Sequence, residues 1–268
     1  MNISGKAPLG TKNKVVSIAG GGDAAHASPA GPSNFEQVQQ VARYCQSQRD
    51  MGMIVGPPGC GKTYAAIDYL ENNPNVYLAT LNPTFSAVGP GLARVSAALG
   101  LTGAVAAGYV THIRLIDRFL EHDSADAAPL LIIDECQHAG DALLDELRAI
   151  HDEAKIGLLL TGNAEFSKRF SGHGAAAFAQ LTSRIGARLE LGPPALADIA
   201  PICERYGISG KAELAHLLRL AQGIGGLRVV AKLVALAETL NGGDKLPTLA
   251  DLKLAKTLLL GGHDERRR

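Results

Sequence analysis

Five short apolar runs punctuate the chain: Met51–Val55, Val76–Leu81, Leu130–Asp134, Ile156–Thr161 and Ala187–Leu191. Each is nearly continuous rather than alternating, as in a strand covered on both faces. Between them apolar residues recur at helical spacing, over Lys62–Glu71, about Ala87–Leu99, Thr111–Glu121, Asp141–His151 and Ala164–Phe170. A further helix precedes the first strand. Ser33 or Asn34 can cap it, and Phe35, Val38, Val41 and Cys45 form its apolar stripe. This alternation predicts an α/β fold around a five-stranded parallel sheet. Beyond Pro193-Pro194 the strand signal stops. Helical segments at about Leu196–Tyr206, Lys211–Ala221, Leu227–Leu240 and Leu249–Leu259 predict a small all-helical domain over 193–260, following a core over 34–192.

The ends of the sequence differ from this middle. Residues 1–33 are rich in Gly, Ala, Ser and Pro, and Lys6, Lys12 and Lys14 are their only charges before Asp23. They read as a flexible, slightly basic arm. Residues 261–268 read as a charged tail. Composition refines the picture only a little. Hydrophobic residues make up 46% of the 268, with no tryptophan and few aromatics, so the core is aliphatic. Basic and acidic residues balance at 26 each, which gives no sign of a dedicated nucleic-acid-binding domain. Cys45, Cys60, Cys136 and Cys203 are scattered, without metal-ligand spacing, and read as reduced thiols. No stretch approaches the roughly 20 apolar residues of a membrane span, so a soluble cytoplasmic protein without a membrane partner is expected.

The first apolar run leads into the sharpest chemical signal, "MIVGPPGCGKT" (Met53–Thr63). Gly56 to Thr63 fits G-x-x-x-x-G-K-[ST], the phosphate-binding loop, and it lies between a strand and a helix as that loop requires. Gly59 and Gly61 let the backbone turn so that successive N–H groups point at phosphate oxygens. The helix starting near Lys62 adds its positive end. The nucleotide-binding stretch is thus Gly56, Pro57, Pro58, Gly59, Cys60, Gly61, Lys62, Thr63 and Tyr64. Lys62 neutralises β/γ-phosphate charge, Thr63 offers a hydroxyl to Mg²⁺, and ATP is the expected nucleotide. Cys60 reads as a tolerated small residue.

"PLLIIDECQH" supplies the complement. Asp134 ends a buried strand, where a carboxylate can hold Mg²⁺ directly or through water. Glu135 follows, placed to polarise a water for attack on the γ-phosphate. Adjacent acids after a buried strand favour hydrolysis over transfer to a small acceptor. A metabolic P-loop kinase is the alternative from another class, although no second-substrate site is evident.

Three further polar residues stand at informative places. Asn163 follows the strand "GLLLTG", at the sheet end that faces the ligand crevice of an open parallel sheet. It is placed to bridge the lytic water and the γ-phosphate, to cap the next helix, or both. Arg184 precedes the last strand at the domain edge, either as a finger reaching a neighbouring subunit's nucleotide or as a surface ion pair. Arg188, inside the strand pattern, is the weaker candidate. Arg228 lies in the first turn after Gly225-Gly226, where the helix dipole does not favour a cation; an anion or plain solvation would account for it.

Together these residues resemble an AAA+ ATPase with a helical lid, over about Asn34 to Leu260. "DECQH", "ELRAIHDEAKIGLLLTGN", "FAQLTSRIG" and "GGLRVVAKL" look most like the family of phage Mu transposition protein B and its TnsC-type transposon relatives. The resemblance implies an ATP-dependent protein that assembles on duplex DNA as a helical filament or ring, selects target DNA and activates a transposase. It makes Lys62 and Thr63 the Walker A residues, Asp134 and Glu135 Walker B, Asn163 sensor 1, Arg184 the finger in trans and Arg228 sensor 2. One departure stands out. Phage Mu proteins of this kind carry a helix-turn-helix domain before the ATPase, whereas about 33 residues precede it here, so DNA contacts are expected from the core or the arm. In "LTGAVAAGYVTHIRLIDRF", Thr111 at a helix start, with Arg114 and Arg118 one turn apart, can meet backbone phosphates. With Asp117 and Glu121 nearby, the same stretch also reads as a solvated face. A DnaC/IstB-like loader or remodeller of a partner protein is the second reading within the AAA+ class.

Overall fold

The computed structural model describes residues 32–101, 108–124, 126–170, 178–242 and 245–261. The basic arm up to residue 31, the small-residue loop at 102–107 and the charged tail from residue 262 lie outside the described residues. The chain begins with α1 (Asn34–Gln48), β1 (Met51–Val55), α2 (Lys62–Asn72), β2 (Val76–Thr80), α3 (Val88–Ala98) and α4 (Gly108–His122). It continues through β3 (Leu130–Asp134), α5 (Asp141–Ala154), β4 (Gly157–Gly162), α6 (Ala164–Lys168), α7 (Ala179–Arg184) and β5 (Ile185–Glu190). The helices α8 (Leu196–Arg205), α9 (Lys211–Ala221), α10 (Gly226–Leu240) and α11 (Leu249–Leu260) complete it.

Among the described residues the sheet has five strands, all parallel, in the order β2-β3-β4-β1-β5. β1, β3 and β4 are buried throughout, which explains their continuous apolar runs. Their side chains alternate between two cores. Met51, Met53, Val55, Leu131, Ile133, Leu158 and Leu160 face a cluster built with α3, α4, α5 and α7. Ile54, Leu130, Ile132 and Leu159 face a second cluster built with α1 and α2. Each fully buried aliphatic side chain contributes about 1.5–3 kcal/mol of transfer free energy. A third cluster, with Ile199, Leu217, Val230, Leu233 and Leu252 inside, joins α8 to α11.

Local signals set the ends of these elements. Ser33 caps α1 in a reciprocal box: its Oγ accepts from the Glu36 amide at 3.1 Å, and its own amide donates to Glu36 Oε2 at 2.8 Å. The helix stops at Arg49, which is left-handed (φ 50°). All four cysteines are buried and unpaired.

Two expectations are corrected. α4 starts at Gly108, three residues before Thr111, so Thr111 is not in the first turn; it is buried, because its side of the helix packs onto the core next to Leu115. The last strand begins at Ile185, two residues earlier than its apolar run. Ile185 and Gly186 belong to an edge strand, covered less completely than β1.

Candidate nucleotide site

Loop, acids and asparagine converge because β1, β3 and β4 are neighbours and all deliver their carboxyl ends to one side of the sheet. After Val55 the chain turns through Gly59 (φ 78°) and Gly61 (φ 105°), conformations that favour glycine. Gly61 is the N-cap of α2 and, among the described residues, no side chain caps the amides of that first turn. The positive end of the helix is therefore directed at the loop. Lys62 Nζ lies inside the loop's curve, donating to the carbonyls of Gly56 (2.8 Å) and Pro57 (3.1 Å). Pro57 and Pro58 are exposed, while Cys60 is buried against the α1–α2 core and serves packing. Tyr64 is exposed, its ring 5.8 Å from that of Phe35.

The two motif halves touch. Thr63 Oγ1 donates to Asp134 Oδ2 at 2.7 Å. Asp134 Oδ1 accepts from the Thr161 hydroxyl and from the Glu135 amide at 2.9 Å. Three donors thus fix a carboxylate that is almost completely buried. A hydroxyl and a carboxylate side by side beside a phosphate loop form the hard oxygen donor set that suits Mg²⁺, which takes few protein ligands and keeps the rest for phosphate and water. The residues present therefore fit both ATP and the ion. Glu135 adopts the left-handed conformation at φ 60°, at a cost of about 1–3 kcal/mol for a residue other than glycine. Gln137 donates its amide to the Glu135 carboxylate.

Asn163 follows directly on β4 and caps α6, its Oδ1 accepting from the amides of Glu165 (2.9 Å) and Phe166 (3.2 Å). Capping occupies the oxygen and leaves the amide nitrogen for other work. The preceding Gly162 carbonyl accepts from Gly56 N at 3.2 Å, which joins the end of β4 to the start of the phosphate loop.

The helical module lies directly on this loop. Leu227 N donates to the Gly59 carbonyl at 2.8 Å. A Cβ on Gly59 would stand 2.2 Å from the Gly225 carbonyl oxygen, and one on Gly226 would stand 2.4 Å from that of Gly59. Only glycines permit this approach, and Gly225 and Gly226 both have positive φ. Arg228, exposed in the first turn of α10, is one residue beyond this contact.

The other sequence candidates lie apart from the loop. Arg184 ends α7 at the β5 edge and pairs with Asp152 at 3.2 Å; its side chain is 54% exposed. Arg188 is exposed and bonds to Ser167 at 3.3 Å. On α4, Arg114 is exposed and Arg118 pairs with Glu121 at 3.2 Å. With Thr111 buried, the three do not form one phosphate-facing set, and Arg114 alone presents an exposed cation.

Sequence reasoning passed over several participants. Thr161 braces Asp134, and a hydroxyl ending an otherwise apolar strand was the available signal. Asn34 donates its backbone amide to Asp198 at 2.7 Å and its side-chain amide to the carbonyls of Cys60 (3.3 Å) and Gly192 (3.1 Å). It ties the start of α1 to both the phosphate loop and α8. Asn34 and Asp198 are 164 residues apart, and no local pattern marks the pair.

A phosphate loop on the central strand, an acid pair on β3, an asparagine after β4 and a helical module folded onto the loop define a P-loop ATPase of the AAA+ class. Residues 44–170 match the AAA domain family, and residues 183–258 match the C-terminal family of the Mu B transposition protein. The "ATP-dependent target DNA activator B" of Escherichia phage Mu is 33% identical over 213 residues, covering 77% of this chain and 67% of that protein. A Mu-like prophage "DNA transposition protein B" from Haemophilus influenzae is 28% identical over 202 residues, covering 74% and 69%. The chain belongs to the Mu B transposition protein family. Among solved structures, the Aeropyrum pernix ORC2 protein superposes with a TM-score of 0.61 at 19% identity, covering 84% of this chain and 66% of that one. Domain III of the Thermotoga maritima replication initiator DnaA superposes with a TM-score of 0.54 at 17% identity, covering 86% and 92%. These last two likenesses concern the fold.

Proposed function

We propose that this protein is a Mg²⁺-dependent ATPase that assembles on duplex DNA in the ATP state, captures target DNA and activates a partner transposase. The observation that carries the ATPase reading is the direct bond between Thr63 and Asp134 with Glu135 adjoining, so that both motif halves meet in one place. The DNA and transposase parts rest on membership of a family whose phage Mu member is named an ATP-dependent target DNA activator.

In this reading residues 34–192 are the ATPase core and 193–260 the lid. Amides of the Gly56–Thr63 turn and of Tyr64 receive the phosphates, and Lys62 leaves the loop carbonyls to neutralise β/γ charge. Thr63 and Asp134 would hold Mg²⁺, and the ion would supply positive charge against the charge that develops on the phosphates. Glu135 takes a proton from the attacking water, and the Asn163 amide orients that water. Arg184 reaches a neighbouring subunit's nucleotide, and Arg228 reports the γ-phosphate to the lid. Among the described residues no helix is long and apolar enough to cross a membrane, and we place the protein in the cytoplasm of the bacterial host.

The test is electron microscopy of the purified protein with ATP, with and without duplex DNA, together with fluorescence anisotropy on two unrelated duplexes across a salt series. Filaments or rings on DNA in ATP are expected, with little base preference, a steep loss of affinity with salt and weaker binding in ADP. Equal binding with ATP, ADP and no nucleotide would refute the switch. One observation favours the second reading: Thr111 is buried and Arg118 paired, which thins the cationic surface of α4. Absence of DNA binding in every nucleotide state would overturn the DNA part of the proposal and shift the reading to a DnaC/IstB-like remodeller of a partner protein.

A further inference from the structure

The stretch "ELRAIHDEA" has so far no part in the chemistry, yet the structure joins it to Arg184. Arg148 and Asp152 are one turn apart on α5, and Arg148 Nη1 donates to Asp152 Oδ2 at 3.0 Å. The other oxygen, Oδ1, faces Arg184 Nε at 3.2 Å. One carboxylate is therefore shared between two guanidinium groups that differ in setting. The Arg148 side chain is 20% exposed and packed on its own helix, with Asp145 at 3.8 Å on its far side. Arg184, at the end of α7 beside the edge strand, is the most exposed of the three. A fixed cation thus holds a carboxylate, and the carboxylate holds a projecting cation.

We infer that Asp152 is a positioning residue for Arg184, anchored by Arg148 and presenting the Arg184 guanidinium to the neighbouring subunit in one orientation. The inference rests on the reading of Arg184 as a finger in trans. The nearest approach of the pair is at Nε, on the side of the guanidinium away from the end-on fork that suits a phosphate. A free arginine must give up its rotamer freedom at each encounter, and a side chain already held loses less. An isolated exposed ion pair adds little to stability. The value of this one lies in geometry, since α5 and α7 are separate helices that the Asp152–Arg184 pair links at the sheet edge.

The test uses the full chain assembled with ATP, Mg²⁺ and duplex DNA, and compares Asp152→Ala, Asp152→Asn, Arg148→Ala, Arg184→Ala and the Asp152→Ala/Arg184→Ala double variant. Asp152→Ala is expected to lower kcat of the assembly by roughly 10- to 100-fold, the range for a displaced catalytic group, with ATP affinity of the dispersed subunit and Tm unchanged. The double variant is expected to be no slower than Arg184→Ala. Mixing Asp152→Ala with Glu135→Gln protein is expected to restore turnover, because an interface with Glu135 from the first and Arg184 from the second is intact. A loss of folding is not rescued in this way. If Asp152→Ala does not fold, Asp152→Asn and Arg148→Ala carry the same comparison. Normal turnover in Arg184→Ala would remove the finger itself. Slow turnover in Arg184→Ala with normal or raised turnover in the Asp152 and Arg148 variants would keep the finger and overturn its positioning.

Discussion

The carboxyl ends of β1, β3 and β4 and the outer edge of β5 belong to one sheet, yet they are finished to different degrees. At the strand ends Asp134 has three donors, Lys62 rests on two carbonyls, and Gly59 receives the first turn of α10. At the edge Arg184 is more than half exposed, and Asp152 approaches it at Nε, 3.2 Å away. At the strand ends Lys62, Thr63, Asp134, Glu135 and Asn163 all have partners within the chain. Arg184, which we propose works on a second subunit, is paired on one side with Asp152 and otherwise exposed. If the proposed roles hold, the contrast separates binding of a nucleotide from its turnover in an assembly.

The largest effect is expected at the strand ends. Glu135→Gln removes the carboxylate proposed to activate water and leaves the loop intact, so ATP is expected still to bind while single-turnover hydrolysis falls by roughly 10²–10⁴-fold. Near-normal turnover would take Glu135 out of catalysis. Lys62→Ala acts one step earlier. It removes a charge-assisted bond to the phosphates, and ATP affinity, read by calorimetry on the dispersed subunit, is expected to fall by about 100-fold, close to 3 kcal/mol. An equal loss in Arg184→Ala under the same dispersed conditions would erase the distinction between the two regions.

A smaller effect is expected where the lid meets the loop. Gly226→Ala places a Cβ 2.4 Å from the Gly59 carbonyl oxygen, at a residue whose φ of 56° already disfavours a side chain. α10 must move back, breaking the Leu227–Gly59 bond. Affinity for ATP is expected to drop about 10-fold, about 1.4 kcal/mol, by loss of closure over the loop. Gly89→Ala, where an added Cβ meets nothing within 4 Å, is the control and is expected to bind ATP normally. Unchanged affinity in Gly226→Ala would show that the lid contact is not part of nucleotide binding.

What the sequence disclosed follows the same division. The strand ends were legible because their signals are local: glycines, lysine and threonine at fixed spacing, and two acids after a buried run. α9 appears over the residues its periodicity marks, Lys211 to Ala221. α7 passed unseen because its six residues span too few turns to show a period. The α4 start was misplaced because Gly108, Tyr109 and Val110 carry no capping signal. Thr161 was read as the end of a strand rather than as a brace. The ties between Asn34 and Asp198, Leu227 and Gly59, and Arg184 and Asp152 join residues 32 to 168 positions apart, and only the folded chain brings them together.

The smallest expected effect is also the most local, and it comes from a histidine beside the Arg184 pair. His151 precedes Asp152; its Nδ1 bonds to the Ile156 carbonyl at 2.7 Å, and its Nε2 is 3.9 Å from Asp152 Oδ1. Burial pushes its pKa below the ordinary 6.5, against the opposing pull of the Ile156 carbonyl, Asp152 and Asp50, while Arg184 adds to the depression. The unfolded chain therefore takes up this proton at a higher pH than the folded one. His151 favours the folded state fully above about pH 6.5, and its contribution declines as pH falls and is gone below the folded pKa. The His151 resonance, followed by NMR between pH 4 and 8, reports on the neighbouring charges. Arg184→Ala removes a cation and is expected to raise the His151 pKa, and Asp152→Asn removes an anion and is expected to lower it. Opposite shifts of this kind would place both charges next to the ring in solution. A His151 titration that ignores Arg184 would mean that the arginine does not stay beside Asp152 in solution, which would count against its positioning.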